Sequence, residues 1–228
     1  MINSPATVPP SEGLPYDSDL RQEAARYALI RRLMPALRHH LAGEFQPIGI
    51  MAALIERQVK QPGSAQTLAE HTVSLGQISK KAAARCVSLL HWIVPVAQES
   101  VDLREAVDEC MQMVSAGLRL NGIQWVHHPH ELALRVASSA TRTVLPAAVL
   151  YLADHAQGPT QLHLRAHKRG RKAWIEIETE PMNDANATTS GSVYRMLQWG
   201  DVLALAQAEQ VGLQAIPKGV RLQLNGGL

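Results

Sequence analysis

The chain has 228 residues, a formal net charge of +2 and a composition that is 46% hydrophobic. That length permits one large domain or two small ones with a sizeable core, and so mild a charge balance argues against a nucleic-acid-binding protein. No run of 18 apolar residues occurs, so no membrane-spanning helix is expected and the expected location is cytoplasmic.

Residues 1–17 hold three prolines after Ala6 and no basic start. They predict a disordered lead-in, not a signal peptide. Ser18 or Asp19 can cap a helix that runs to about Gln58, roughly 60 Å at the usual rise. Apolar residues fall at Leu37, Leu41, Phe45, Ile48, Ala52, Ile55 and Val59, the three-and-four spacing of one buried stripe. His39 and His40 lie beside it. Pro35 and Pro47 each remove a backbone donor, and Gly43 and Gly49 loosen the same region. Gln61-Pro62-Gly63-Ser64 breaks the pattern. A second helix is expected from Ala65 to Ile93, with Leu68, Thr72, Leu75, Ile78 or Ser79, Ala82, Cys86, Leu89 and Ile93 as its stripe. Two such helices joined by a short turn make an antiparallel hairpin. One hairpin buries too little to cover both seams, which predicts a homodimer closed as a four-helix bundle.

Residues 18–94 therefore read as the helical domain and 95–228 as a second domain of α+β character. Asp102-Leu103-Arg104-Glu105 is a capping box opening a helix to Leu120. Strands are expected at Ile123–His127 and Leu132–Val136, and a helix at Ser139–Ala156. A hairpin at Gln161–His167 and Lys172–Glu178 follows, then a polar loop at Pro181–Gly191. A helix at Ser192–Gln210 and a closing hairpin at Leu213–Ile216 and Val220–Leu224 complete the chain.

Several residues that could carry chemistry have plainer roles. Cys86 and Cys110 lie in apolar helical patterns and read as buried thiols. His127-His128-Pro129-His130 lacks the spacing of a metal site, so no metal is expected. The basic run from His167 to Lys172 reads as a solvated turn. His71 and His91 read as packing residues, and Trp92, Trp125, Trp174 and Trp199 as core anchors.

In order and pattern, residues 20–228 resemble a bacterial sensor histidine kinase core. The family's phosphoacceptor box runs His-acidic-Leu-Arg-polar-Pro-Leu, followed by apolar residues at regular offsets. With His39 at the histidine, Leu41 and Phe45 meet the two leucines, and Ile48, Ala52 and Ile55 meet the apolar positions. With His40 there, Ala42, Gln46 and Gly49 do so, a poorer fit. A variant box, His-Asp-x-x-Gly-Gln, also matches from His39 through Gly43 and Glu44, and Val101–Val107 is similar to the entry into the family's ATP-binding domain. The resemblance therefore makes His39 the phosphoacceptor candidate and His40 the second choice; the plain alternative is an exposed helix histidine with no role.

The departures from the family pattern shape what the resemblance implies. His40 replaces the acidic neighbour that serves as base, Gly43 replaces the polar residue of phosphatase chemistry, and the box proline is displaced to Pro47. Where the Asn box belongs, within Leu150–Ala156, His155 takes the place of the key Asn beside Asp154. Thr179-Glu180-Pro181 replaces the adenine-reading Asp-x-Gly, and Trp199-Gly200-Asp201-Val202-Leu203 replaces the glycine-rich lid. A phosphate cradle needs closely approaching backbone N–H groups, and Mg²⁺ needs hard oxygen ligands.

The resemblance thus implies an α+β two-domain protein. A hairpin dimerises into a four-helix bundle, and an α/β sandwich like the kinase ATP-binding domain follows without nucleotide or other cofactor. It implies a histidine phosphotransferase relaying phosphoryl groups between response-regulator receiver domains, one of them possible on a hybrid kinase, with Mg²⁺ supplied by the receiver. This makes it a phosphotransfer intermediate at most, not an ATP-dependent kinase. Helix geometry nominates Arg38, Ala42, Glu44, Ile50 and Met51 as partner contacts. The alternative is a non-catalytic kinase-like dimer that sequesters a response regulator or kinase.

Overall fold

The computed structural model describes residues 15–60, 65–94, 96, 99–127, 134–182 and 194–226. Two long helices open the chain, α1 (Pro15–Lys60) and α2 (Ala65–Leu90). α1 runs unbroken through Pro35 and Pro47 for 46 residues, about 70 Å at 1.5 Å per residue. Its packing holds it continuous where two backbone bonds are missing. Its second half pairs with α2 as the expected hairpin.

The α1 stripe divides into two faces. Leu41, Ile48 and Ile55, seven residues apart, are half-buried together with Glu44, Met51 and Gln58. Phe45, Ala52 and Val59, also seven apart, are open instead: Phe45 is 56% exposed and Val59 68%. The spacing of three and four merges the two heptad rows, which lie side by side on the helix. On α2 the half-buried row includes His71, while Thr72 faces outward.

The remaining elements are β1 (Ser100–Asp102), α3 (Leu103–Leu120), β2 (Ile123–His127), β3 (Arg135–Ala137), α4 (Ser138–Asp154), β4 (Thr160–Arg169), β5 (Lys172–Pro181), α5 (Trp199–Ala208), β6 (Gly212–Ile216) and β7 (Gly219–Asn225). Asp102 caps α3, its carboxylate accepting the Arg104 N–H at 2.9 Å. The main sheet has the order β2-β4-β5-β7-β6. The β2–β4 pair is parallel and the others antiparallel, with α4 in the crossover from β2 to β4.

β2 and β3 do not pair with each other. β3 leaves the main sheet and pairs with β1, a strand too short for periodicity to reveal, in a separate two-stranded sheet. The expected strand over 132–136 is thus Arg135–Ala137, with 132 and 133 outside the described residues.

Strand alternation sorts the sheet into two faces. Leu162, Leu164, Ile175, Ile177, Leu222 and Leu224 are buried under the helices. Trp174, Glu176, Arg221 and Gln223 lie on the other, partly open face. Trp174 is therefore not a core anchor; it stacks on His167 with ring centroids 6.4 Å apart and receives the Arg221 guanidinium at 6.0 Å. α4 lies between α3 and α5 and is buried nearly all round, as its apolar run over residues 144–150 requires.

The helix expected over 192–210 is shorter. It begins at Trp199, because the Asp201 carboxylate accepts the Gln198 N–H at 2.8 Å and stops the helix there. Burial pushes the Asp201 carboxyl up. The Arg195 fork, at 2.9 and 3.0 Å, and the Gln198 N–H outweigh it and hold it below the ordinary range.

The N-terminal half of α1 does not stay with the hairpin. Ala25, Leu29, Leu33 and Leu37, four residues apart, are buried together with Ala28. Their helix packs on α5, α3 and α4. One helix therefore serves two partners, the α3–α5 layer first and α2 second.

Candidate functional site

His39 lies on α1 two residues beyond Leu37, the last α1 residue buried in the core, and its side chain is exposed. The helix thus leaves the helical layer and presents this imidazole to solvent within one turn. The His40 ring stands 6.0 Å away, edge-on. It is half-buried and lines a small polar cavity of about 50 Å³ with Glu44, Arg85, Glu109 and Gln112, between α1, α2 and α3. Glu44 reaches across to Arg85 of α2 at 3.7 Å, so it ties the hairpin together rather than orienting either histidine.

The expected partner contacts divide by exposure. Arg38, Ala42 and Ile50 are exposed, while Glu44 and Met51 are half-buried toward α2. Arg38 borders an apolar groove of about 430 Å³ lined by Met34, Pro35, Leu41, Leu90, Ile93 and Tyr194. Gly43 and Gly49 have open space where a side chain would stand, so packing does not demand glycine at either.

In the α+β part of the chain the positions that the kinase resemblance singled out are filled by this chain's own contacts. The side chain of Asp154, at the end of α4, is 5% exposed and that of Arg32 of α1 is 6% exposed. The guanidinium grips the carboxylate with two nitrogens, at 2.6 Å to Oδ2 and 2.7 Å to Oδ1. The Leu197 N–H donates a third bond to Oδ2 at 2.9 Å. Both Asp154 oxygens are thus engaged by strong, charge-assisted partners.

His155 caps the end of α4, its Nδ1 2.9 Å from the Tyr151 carbonyl, and its ring lies 4.5 Å from that of Tyr151. Tyr151 in turn contacts Trp199 at 5.7 Å. The Trp199–Leu203 stretch is the first turn of α5, a regular helix in place of a glycine loop. Thr179–Pro181 is the end of β5, in register with β4.

The segment before α5 is fastened to α1 as well. The Arg31 guanidinium lies 5.1 Å from the Tyr194 ring and 5.7 Å from Tyr27. Glu209, just past α5, pairs with Arg26 at 3.0 Å. Sequence reasoning passed over Arg32 and took Asp154 only as a neighbour of His155. The signal was present: Leu29, Leu33 and Leu37 continue an i, i+4 row, with Arg32 on the same face. A cation there needs a buried partner.

A further polar network lies beneath the hairpin. Arg142, inside α4, is buried and bonds Glu99 at 2.7 Å and Glu109 at 3.3 Å. The Ser138 hydroxyl donates to Glu99 at 2.7 Å. That bond and the Arg142 charge hold the Glu99 carboxyl below the ordinary range against the opposing effect of burial. His91, expected only to pack, stands 4.0 Å from the same carboxylate.

Cys110 is buried and burial pushes its thiol far up, so it is inert; Cys86 is half-buried. Residues 128–130 of the histidine run lie outside the described part. Among the described residues no three His, Cys, Asp or Glu side chains group as metal ligands. No described helix is long and apolar enough to cross a membrane.

No protein-family model matches the chain, and no curated protein does. Among solved structures it is similar to a histidine kinase from Burkholderia phymatum STM815, at 15% identity over 82% of this chain and 98% of that one, with a TM-score of 0.43. It is also similar to histidine kinase ThkA crystallised with the response regulator TrrA, at 11% identity over 95% of this chain and 68% of that one, TM-score 0.42. A structure described as a bacterial phosphotransferase matches at 12% identity over 86% and 95%, TM-score 0.37.

Proposed function

We propose that this protein is a dimeric histidine phosphotransferase that accepts a phosphoryl group on His39 from one response-regulator receiver domain and passes it to another, without using ATP. The observation that carries this reading is a contrast between two sites. His39 is exposed on a continuous helix, while the Asp154 carboxylate, at the position resembling a nucleotide box, is spent on Arg32 and Leu197.

The chemistry asks little of this chain. A neutral imidazole nitrogen attacks the phosphorus of the receiver's aspartyl phosphate. An N–P bond forms, the P–O bond to the aspartate breaks, and the carboxylate leaves with the electron pair. The second receiver reverses the step with its own aspartate. The receiver brings the Mg²⁺ that neutralises the transferring group, so positioning is the main contribution of His39.

The open row of Phe45, Ala52 and Val59 on α1, with Val73 and Val87 exposed on α2, supports closure of the bundle by a second copy. Arg38 at the edge of the apolar groove supports a receiver docking beside His39.

The test is incubation with phosphorylated receiver domains followed by assay for an acid-labile phosphoryl group. Label should appear on the wild type and on His40→Ala and vanish in His39→Ala. Absence of label with every receiver offered would leave a kinase-like binding module that sequesters its partner. Binding of ATP at micromolar affinity would overturn the account of the second domain.

A further inference from the structure

We infer that Arg32 and Asp154 are positioning residues for His39: their buried ion pair splints the first half of α1 to the second domain and so aims the imidazole. The inference rests on the phosphotransferase reading of His39 given above.

Arg32 precedes His39 by seven residues, two turns and about 10 Å along the same face of α1. Between them stands Pro35, which cannot donate to the Arg31 carbonyl and so weakens α1 just before the histidine. The contacts to the second domain straddle that weak point. Arg32 is clamped on its N-terminal side by two bonds to Asp154, and Leu37 is buried on its C-terminal side. Asp154 is itself fixed by the Leu197 N–H at 2.9 Å, which joins the end of α4 and the entry to α5 into one seat for the helix.

A guanidinium fork meeting a carboxylate side-on allows one orientation, unlike a lysine ammonium. Rotation of α1 by one residue, about 100°, would carry Arg32 off its partner and His39 out of its present direction. The domain that resembles an ATPase thereby serves as a fixed mount for the phosphoacceptor. The carboxylate beside the missing Asn box has become its anchor.

Two measurements test this on the full-length protein: amide hydrogen exchange, and single-turnover phosphoryl transfer from a phosphorylated receiver at saturating concentration. In Arg32→Gln and Asp154→Asn, amides of residues 25–40 should lose more protection than those of β4 and β5. The transfer rate constant should fall on the order of tenfold with receiver affinity unchanged, because misplacement costs rate and not binding. Arg32→Lys, which keeps the charge and loses the fork, should recover only part of the rate.

If a single variant fails to fold, Arg32→Met/Asp154→Leu removes both charges together and should keep the fold while still slowing transfer. Unchanged protection of 25–40, loss of protection spread equally into the sheet, or an unchanged rate constant in a labelled protein would each overturn the positioning role. Absence of label on the wild type would instead overturn the phosphotransferase reading on which it rests.

Discussion

At the scale of single residues, burial decides which polar contacts matter. Arg21–Asp17 on the outside of α1 has the same charges as Arg32–Asp154, but its side chains are 73% and 51% exposed. Exposed pairs contribute about 0–1 kcal/mol, so Arg21→Ala should leave the unfolding midpoint almost unchanged. Removing one member of the Arg32–Asp154 pair leaves an uncompensated buried charge and should cost about 3–5 kcal/mol. Chemical denaturation of Asp154→Asn, Arg32→Met and their combinations in a double-mutant cycle measures the difference. Glu99 gives a pH prediction. Its folded-state pKa lies below the ordinary 4.5, so its contribution is fully present above the unfolded value and is lost as pH falls through the folded one. Ser138→Ala removes the largest cause of that depression. Acid unfolding followed by circular dichroism should then begin at higher pH than in the wild type, with the neutral-pH fold retained.

At the scale of elements, α1 carries two programmes in one helix. Its first half is a core helix: Leu33 is buried in the core shared with α3–α5, and Leu33→Ala should destabilise by about 2–5 kcal/mol. Its second half pairs with α2 and leaves Phe45 open, the face proposed above to meet a second copy. Phe45→Glu should leave the folded hairpin intact but shift the protein from dimer to monomer in sedimentation, because a carboxylate cannot be buried unpaired in a bundle seam. Most elements were legible from local pattern. The capping Asp102 and the alternation of β5 each act within a few residues, which is the range over which periodicity and turn chemistry operate; the break expected at 61–64 lies outside the described residues. Trp174 shows the limit of residue type as a guide: aromatic character suggested a core anchor, whereas strand parity put it with Glu176 on the open face. The start of α5 was obscured in the same way, since helix-compatible residues continue before Trp199 and only the Asp201 bonds to Gln198 and Arg195 mark the boundary.

At the scale of the whole molecule, the helical layer is built from pieces far apart in the chain. α1 meets α5 although more than 130 residues separate the two elements in the chain, and the contact joins the first half of α1 to the α3–α5 layer. His39 was singled out by the resemblance of Leu41, Phe45, Ile48 and Ile55 to the apolar positions of the kinase phosphoacceptor box, and the structure adds that its side chain is exposed while that of His40 is half-buried. Sequence alone determined the two long helices and the α+β character of the rest, which follow from local propensity and patterning. Only the tertiary structure decided that β3 pairs with β1 and not β2, that the seam of α1 splits into a covered and an open row, and that Asp154 holds Arg32. These are choices among partners of equal local quality. They are settled by which surfaces can be buried together and by the cost of leaving a charge in the interior without its counterion.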